Sequence, residues 1–246
     1  MVYTTFAQLY DELMEPKMYE QWCSFIEKQV PTLSTAQILD LACGTGRLAV
    51  LLAQKGYDVV GSDLSADMLT LAEEHARDKQ VNIPLIEADM LDLSELADFD
   101  VVTCCLDSLC YMDDEESMLK VFRQVYEHLR KGGYFIFDVI SPYQTDVVYP
   151  GYMYNYTDDN RAFIWQSYEG DQPHSVIHDL TFFVYDKHKK GYARLNETHY
   201  ERTYSLPEYR RILSEAGFKS IKEFADFGDA EPSETTERWF FVCHKI

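Results

Sequence analysis

Strands and helices alternate strictly between residues 36 and 140, and this alternation constrains the fold more than any other feature of the sequence. Apolar runs of strand length are separated by segments whose apolar residues recur at helical spacing. The predicted strands are 38–41, 58–62, 84–87, 100–106 and 133–139, and the predicted helices are 46–55, 65–79 and 115–129. Such alternation predicts a parallel sheet with helices on both faces.

The pattern changes at about residue 141. Residues 152–204 lose the helical period, become rich in Tyr, Phe, Thr and Val, and predict three or four antiparallel strands. A helix at 206–216 and strands at 219–224 and 239–243 follow. We therefore expect an N-terminal helical cap at 1–35, an α/β core at 36–140, an inserted antiparallel meander at 141–204, and at 205–246 a helix with a strand pair that completes the core.

Charge and cysteine content exclude several functions. Lys and Arg number 22 against 42 Asp and Glu, a net charge of −20, which repels nucleic acid. Six cysteines occur without a Cys-x-x-Cys pair, which favours reduced thiols over disulfides or a zinc site. The apolar runs are too short to cross a bilayer, and the amino terminus does not resemble a signal peptide. We expect a cytoplasmic protein with no metal, membrane or nucleic-acid partner.

A glycine-containing turn, Asp40-Leu-Ala-Cys-Gly44-Thr45-Gly46, joins the first strand to the first helix. Its glycines allow a sharp turn and a close approach to a ligand whose negative end meets the helix N-terminus. The same spacing fits the dinucleotide-binding fingerprint, and Asp63 at the end of the second strand would hold ribose hydroxyls in either case. The glycines alone therefore do not exclude the function of a nicotinamide-dependent oxidoreductase.

Two acidic residues discriminate between the cofactors. Asp40 would repel a pyrophosphate but attract an ammonium group. S-adenosylmethionine carries an ammonium, a sulfonium and a single carboxylate, so an acidic surrounding suits it. Asp89 follows the third strand, where a carboxylate can accept a hydrogen bond from an adenine amino group while Met90 packs on the ring. These residues favour S-adenosylmethionine.

Segments 38–46, 58–68, 88–89, 99–107 and 129–137 together resemble the class I S-adenosylmethionine-dependent methyltransferases. They follow the family's order: D-x-x-x-G-x-G, ribose acid, adenine acid, fourth strand, and L-[RK]-x-G-G before the fifth. The resemblance implies a doubly wound α/β fold, a Rossmann-like, mostly parallel sheet of seven strands in the order 3-2-1-4-5-7-6 with strand seven antiparallel. The opening segment, with Tyr10-Asp11, is similar to a bacterial small-molecule-type subgroup in which a Tyr-Asp helix folds over the cofactor.

The resemblance also implies a set of residues that hold S-adenosylmethionine. Asp40 would face the ammonium, Asp63 would bind the ribose, Leu64 or Met68 would flank the adenine, and Tyr10 would lie over the methionyl end. The full set of expected cofactor-binding residues is Tyr10, Asp40, Gly44, Thr45, Gly46, Asp63, Leu64, Met68, Asp89 and Met90.

Residues on the acceptor's side follow the fourth and fifth strands, because ligands bind at the carboxyl ends of strands in such sheets. Asp107 and Tyr111 are the candidate catalytic residues, and Asp138 is a further candidate. In the subgroup the fourth strand is often followed by Asp-Ser-Leu-Asn-Tyr, where this chain has Asp107-Ser-Leu-Cys110-Tyr111. His178 and His199 of the meander are expected to be surface or core residues rather than bases.

Three functions remain open. A small-molecule methyltransferase is favoured by the acidic surface and by an insertion suited to covering a pocket. An NAD(P)-dependent oxidoreductase and a non-catalytic S-adenosylmethionine-binding module are the alternatives. The aromatic-rich insertion could also form a homodimer surface, because aromatic side chains suit both roles.

Overall fold

A seven-stranded sheet and a separate four-stranded antiparallel sheet make up the computed structural model, which describes residues 16–31, 33–187 and 190–246. The strands are β1 (Gln37–Leu41), β2 (Asp58–Asp63), β3 (Leu85–Glu87), β4 (Phe99–Cys104), β5 (Leu129–Ile140), β6 (Met153–Thr157), β7 (Arg161–Glu169), β8 (Ser175–Asp186), β9 (Gly191–Arg202), β10 (Ser220–Phe224) and β11 (Arg238–His244). The helices are α1 (Pro16–Gln29), α2 (Arg47–Gln54), α3 (Ala66–Asp78), α4 (Glu115–His128) and α5 (Leu206–Ala216).

The strand order of the large sheet is β3-β2-β1-β4-β5-β11-β10. Strands β1 to β5 pair in parallel, and β11 runs antiparallel to both of its neighbours. This order confirms the predicted Rossmann-like methyltransferase fold. Asp40 is opposite Gly61 of β2 and Thr103 of β4 in the register, so the carboxyl ends of β1, β2 and β4 meet at one edge.

Helices cover both faces of the large sheet because the side chains of each strand alternate between two apolar layers. Leu39 and Val102 pack into the layer that contains α4 and α5. Ile38 and Val101, their chain neighbours, pack into the layer that contains α1 and α2. The apolar runs read from the sequence are therefore strands that are buried on both faces.

Helix ends place several residues at the carboxyl edge. Ser65 caps α3, and its hydroxyl accepts a hydrogen bond from the N–H of Met68 at 3.3 Å. Gly46 directly precedes α2. The predicted helices 46–55 and 65–79 therefore begin within one residue of α2 and α3. The predicted first helix of the cap, which contains Tyr10, lies outside the described residues.

The inserted segment forms a meander with the strand order β6-β7-β8-β9, which confirms the predicted antiparallel insertion. One face of this sheet carries an apolar cluster around Phe163 and Phe182, and Met68 of α3 packs against that cluster. We call this the inner face, because it lies toward the large sheet. A single π-helical turn, Gln144–Val148, connects β5 to the meander and was not predicted.

All six cysteines are free, and only Cys43 is not fully buried. Burial raises the pKa of the Cys104 and Cys105 thiols well above its ordinary value, as expected for small apolar residues. Among the described residues, no helix is long and apolar enough to cross a membrane.

Candidate active site

The turn from β1 into α2 is built on two glycines with left-handed backbone. Gly44 has φ +56° and Gly46 has φ +73°. A Cβ atom on Gly44 would meet no atom within 4 Å, so this residue leaves open space beside the turn. A Cβ atom on Gly46 would lie 2.7 Å from the Cβ of Ala72 in α3. Gly46 is therefore required for the packing of α2 against α3, whereas Gly44 leaves room for a ligand.

Asp63, at the carboxyl end of β2, holds this turn in position. Its Oδ2 accepts a hydrogen bond from the N–H of Gly44 at 2.8 Å, and its Oδ1 accepts one from the N–H of Ser65 at 2.9 Å. Burial raises the pKa of Asp63, although these backbone hydrogen bonds oppose the rise. Thr45, between the glycines, is buried, and its carbonyl oxygen lies 2.8 Å from Nδ1 of His75.

Asp40 lies below the turn and is only 2% exposed. Its Oδ1 accepts a hydrogen bond from the hydroxyl of Thr103 at 2.8 Å. Burial, with a smaller contribution from the charge of Asp63, raises the pKa of Asp40 to about 7. A carboxyl group in this condition ionises more readily when a cation approaches. Its burial favours action on an ammonium group through the electric field or a water molecule rather than by open contact.

Four further predicted residues border the same edge of the sheet. Leu64 is 68% exposed and offers an apolar surface directly after β2. Met68 packs against Phe163 on the inner face of the meander. Asp89 is exposed, and its Oδ1 accepts a hydrogen bond at 2.9 Å from the backbone N–H two residues further on. Met90 packs against the core. Their contact with an adenine ring stays a prediction.

Comparisons with known proteins identify the family. Residues 38–133 match the family model described as "Methyltransferase domain". A protein of Geobacillus sp. (strain WCH70), described as "putative methyltransferase", is 41% identical over 100% of both chains. An S-adenosylmethionine-dependent methyltransferase from Clostridium acetobutylicum ATCC 824, known from its crystal structure, is 31% identical over 98% of each chain with a TM-score of 0.85. A glycine/sarcosine N-methyltransferase of Halorhodospira halochloris is 27% identical over 85% of this chain and 76% of that protein.

The chain belongs to the class I S-adenosylmethionine-dependent methyltransferases. The 41% identity extends over the whole chain, so the likeness includes the inserted meander as well as the core. S-adenosylmethionine is the methyl donor, and the oxidoreductase alternative is wrong. The chain is an enzyme rather than a non-catalytic binding module.

The described residues of this methyltransferase fit its cofactor. The free side of Gly44 leaves the space that a ligand needs against the turn, and a side chain there would fill it. The carboxyl groups of Asp40 and Asp63 suit the ammonium, sulfonium and ribose hydroxyls of S-adenosylmethionine. When bound, this cofactor supplies a methyl group already activated on sulfur, so the protein contributes orientation and exclusion of water.

The loop after β4 of the methyltransferase is strained and carries Asp107. Leu106 and Asp107 have φ +62° and +53°, a conformation that costs roughly 1–2 kcal/mol for each non-glycine residue. Nη1 of Arg238 donates to Oδ1 of Asp107 at 2.8 Å and also to Oδ2 of Asp138. Burial raises the pKa of Asp138, and the Arg238 guanidinium opposes that rise. One cation thus joins the loop after β4 to the carboxyl end of β5.

Tyr111 brings the inserted meander into the site. This residue ends the short 3-10 turn Ser108–Tyr111, and its hydroxyl lies 3.0 Å from Nδ1 of His199 on β9. The two rings meet edge to face with centroids 5.8 Å apart. Burial, with a smaller contribution from the neighbouring His178, lowers the pKa of His199, which favours the neutral imidazole. His199 therefore joins β9 to the loop after β4, and its part in the site stays a prediction.

Two further residues of the meander lie near this contact: Glu201, which was not predicted, and His178, which was expected to be a surface or core residue and is buried. His178 and Glu201 are 4% and 7% exposed, and His178 Nε2 lies 3.8 Å from Oε2 of Glu201. Trp165 Nε1 donates to Nδ1 of His178 at 3.1 Å. A signal was present, because Glu197, His199 and Glu201 alternate along one strand and must share a face. No comparable pattern in the sequence indicates that Arg238 contacts Asp107, which is 131 residues away.

Proposed function

We propose that this methyltransferase methylates a small molecule bound between the loop after β4 and the inner face of the meander. One observation carries this proposal. Contacts between the meander and the carboxyl edge of the large sheet include the packing of Met68 against the apolar cluster and the meeting of Tyr111 with His199. The space between these contacts is bounded by both sheets, and a bounded space of this kind suits a small acceptor better than a macromolecule.

We assign the cofactor to what we call the cofactor edge, the turns after β1, β2 and β3. Gly44 would lie against the methionyl part, Asp63 would hold the ribose, and Asp40 would act on the ammonium. Residues assigned to the same ligand are Thr45, Gly46, Leu64, Met68, Asp89 and Met90, with Tyr10 outside the described residues.

We assign the acceptor to what we call the acceptor side, formed by Asp107 and Tyr111 with His178, Glu201 and Arg238. Methyl transfer needs the acceptor atom in line with the breaking bond, so these residues would chiefly orient the acceptor and manage its proton. The relative from Halorhodospira halochloris is named for methylation of glycine and sarcosine, which supports a small acceptor.

Methyl transfer from labelled S-adenosylmethionine tests this function. The purified chain is incubated with an extract of bacterial cells that is afterwards separated into small-molecule, protein and nucleic-acid fractions. We expect the label in the small-molecule fraction. Label confined to protein or nucleic acid would overturn the proposal. Asp63→Asn should abolish the transfer, whereas Asp58→Asn, an exposed residue at the other end of β2, should leave it unchanged.

We further propose a cytoplasmic location, because the free, buried cysteines suit a reducing compartment. The outer face of the meander carries exposed tyrosines, Tyr168 and Tyr200. Association of two copies through this face stays a prediction, which the molar mass measured by light scattering would test.

A further inference from the structure

Glu201 is a buried carboxylate with an unused oxygen. It lies on the inner face of β9 and is 7% exposed. Its Oε2 accepts no hydrogen bond from any residue that the structure describes, and Nε2 of His178 lies 3.8 Å from it. A buried oxygen without a partner costs free energy unless a ligand supplies the missing donor.

The proton on the neighbouring histidine is oriented by a tryptophan. Indole N–H is a donor only, and Trp165 Nε1 points at Nδ1 of His178 at 3.1 Å. The hydroxyl of Ser167 lies 2.8 Å from the same nitrogen. Nδ1 therefore provides the lone pair, and the ring proton of the neutral imidazole lies on Nε2, on the side of Glu201. His178 thereby stabilises the carboxylate form of Glu201.

The acceptor side carries more carboxyl groups than cationic groups. Burial and the charge of Asp107 both raise the pKa of Glu201. Asp107 and Asp138 already share the guanidinium of Arg238. Glu201 adds a third carboxyl group next to Asp107, and an added cation would lower the electrostatic energy. A phosphate or carboxylate on the acceptor would raise that energy.

Aromatic rings border the same space. Tyr149 packs edge to face on His178, with ring centroids 4.7 Å apart, and the ring centroid of Trp165 lies 5.4 Å from that of the same imidazole. Burial and then the charges of Asp107 and Glu201 raise the pKa of Tyr149, so its hydroxyl stays protonated. Aromatic faces attract organic ammonium groups, and more strongly when water is excluded.

The acid groups also lie next to the cofactor edge. Thr103 of β4 donates its hydroxyl hydrogen bond to Asp40, and Asp107 follows Thr103 by four residues.

A metal ion is a poorer occupant than an ammonium group. Within the parts of the chain that the structure describes, no three His, Cys, Asp or Glu side chains converge as metal ligands.

We propose that the acceptor is a primary or secondary amine, bound as its ammonium ion by Glu201 beside Asp107, and that Glu201 is the base that removes its proton. This inference rests on the proposed function. The ammonium N–H bond breaks and its proton passes to Glu201, which becomes a carboxylic acid and leaves the nitrogen lone pair free. The nitrogen then forms a bond to the methyl carbon while the carbon–sulfur bond breaks. The electron pair goes to sulfur, so the products are a methylated ammonium ion and a neutral thioether.

Amine blocking tests the acceptor class. The small-molecule extract is divided, and the amines of one half are acetylated before the reagent is quenched and removed. We expect labelled methyl transfer in the untreated half and its loss in the acetylated half, with recovery when untreated amines are added back. Transfer that survives acetylation would overturn the amine proposal alone. A lack of transfer in both halves would overturn the proposed function, and the amine proposal with it.

Substitution of the base gives an independent test with the active extract fraction. Glu201→Gln keeps the shape and removes the base, so we expect kcat to fall about 100-fold while the Kd for S-adenosylmethionine stays within about twofold. The matched control is Asp179→Asn on the outer face of β8. The carboxylate of Asp179 accepts a hydrogen bond from the hydroxyl of Thr198, and the kcat of this variant should not change.

Thermal unfolding separates these results from misfolding. Glu201→Gln removes a buried charge near Asp107, so its Tm should equal or exceed that of the parent. A kcat within about twofold of the parent, in a variant that is folded, would overturn the role of Glu201.

Discussion

The cofactor edge and the acceptor side hold their carboxylates in different ways. At the cofactor edge, Asp63 accepts hydrogen bonds from the backbone of Gly44 and Ser65, which are 19 and 2 residues away in the chain. On the acceptor side, Asp107 is held by a side chain, Arg238, that is 131 residues away. The first arrangement depends on local turns, and the second depends on how distant strands pair.

This difference separates a general part of the enzyme from a particular one. Backbone N–H groups exist whatever the side chains are, so a turn held by them can serve any acceptor. Arg238, His178 and Glu201 are side chains, and each can be exchanged without changing the path of the backbone. The acceptor side is therefore where this chain would differ from a relative that methylates another molecule.

The largest expected effect breaks the acceptor side. Arg238→Met leaves Asp107 and Asp138 facing each other without a cation. Removal of one partner from a buried ion pair costs about 3–5 kcal/mol, and we expect about 3 kcal/mol from the free energy of unfolding because Arg238 is partly exposed. Chemical denaturation measures this change.

The pH dependence of that loss identifies its cause. Burial already raises the pKa of Asp138, and loss of the guanidinium raises it further. Ionisation of this group therefore opposes folding, so the loss should be greatest near pH 8 and shrink as the pH falls through about 6, the pKa of Asp138 in the parent. Arg123→Met, which removes a surface pair with Glu215, should cost less than about 1 kcal/mol at either pH. Equal losses at both pH values for Arg238→Met would contradict the ion-pair explanation.

A slightly smaller effect is expected when the cofactor edge loses its carboxylate. Asp63→Ala removes two hydrogen bonds from backbone N–H groups to a charged acceptor, each worth about 1.5–3 kcal/mol. Part of that free energy is lost from folding and the remainder from cofactor binding. We therefore expect the Kd for S-adenosylmethionine to rise about 30- to 100-fold, roughly 2–3 kcal/mol. Calorimetric titration measures it. Asp58→Ala on the same strand serves as the control, and an unchanged Kd for Asp63→Ala would make the ribose assignment wrong.

Local patterns were sufficient to predict the large sheet and the turns of the cofactor edge. Ser65, Gly46 and Asp63 lie at strand and helix ends that apolar periodicity locates directly, and the structure has them there. The family order then supplies the strand order. Their binding to the cofactor stays a prediction.

The acceptor side could not be predicted because it depends on strand register. Antiparallel pairing sets Arg238 opposite Ile140, so its side chain reaches Asp138 only once β11 lies beside β5. In the meander, His178 is opposite His199, and a shift of either strand by one residue would turn its histidine to the outer face. The sequence predicts the strands of the meander but not their register, so it does not show that His178 and His199 lie opposite each other.

The two glycines of the turn separate stability from cofactor binding. Gly46→Ala forces a Cβ to within 2.7 Å of Ala72, and such overpacking costs about 1–3 kcal/mol of unfolding free energy. Gly44→Ala meets no atom within 4 Å, so it should cost about 1 kcal/mol for the left-handed conformation alone. The effects on cofactor binding should be in the reverse order: the Kd for S-adenosylmethionine should rise more for Gly44→Ala than for Gly46→Ala. Equal effects of both substitutions on stability would contradict the division of roles.

The smallest expected effect is a pH dependence of cofactor affinity that arises at Asp40. Folding raises the pKa of this group from 3.8 to about 7, so its proton returns as the pH falls through 7 and its attraction for the ammonium is lost. We expect the Kd for S-adenosylmethionine to rise roughly tenfold between about pH 7.5 and pH 6. The same shift lowers the stability of the folded protein above pH 7 and restores it as the pH falls toward 4.

Two controls assign this dependence to Asp40 rather than to Asp63, whose pKa burial also raises. Asp40→Asn can still accept the hydrogen bond from Thr103, and its Kd should be high and almost independent of pH. 5′-Methylthioadenosine lacks the ammonium and sulfonium but keeps the ribose and adenine, so its affinity should respond to Asp63 and not to Asp40. If the affinity of this neutral compound fell with pH as steeply as that of S-adenosylmethionine, the titrating group would be Asp63, and the cofactor edge would recognise the ribose rather than the ammonium by its charge.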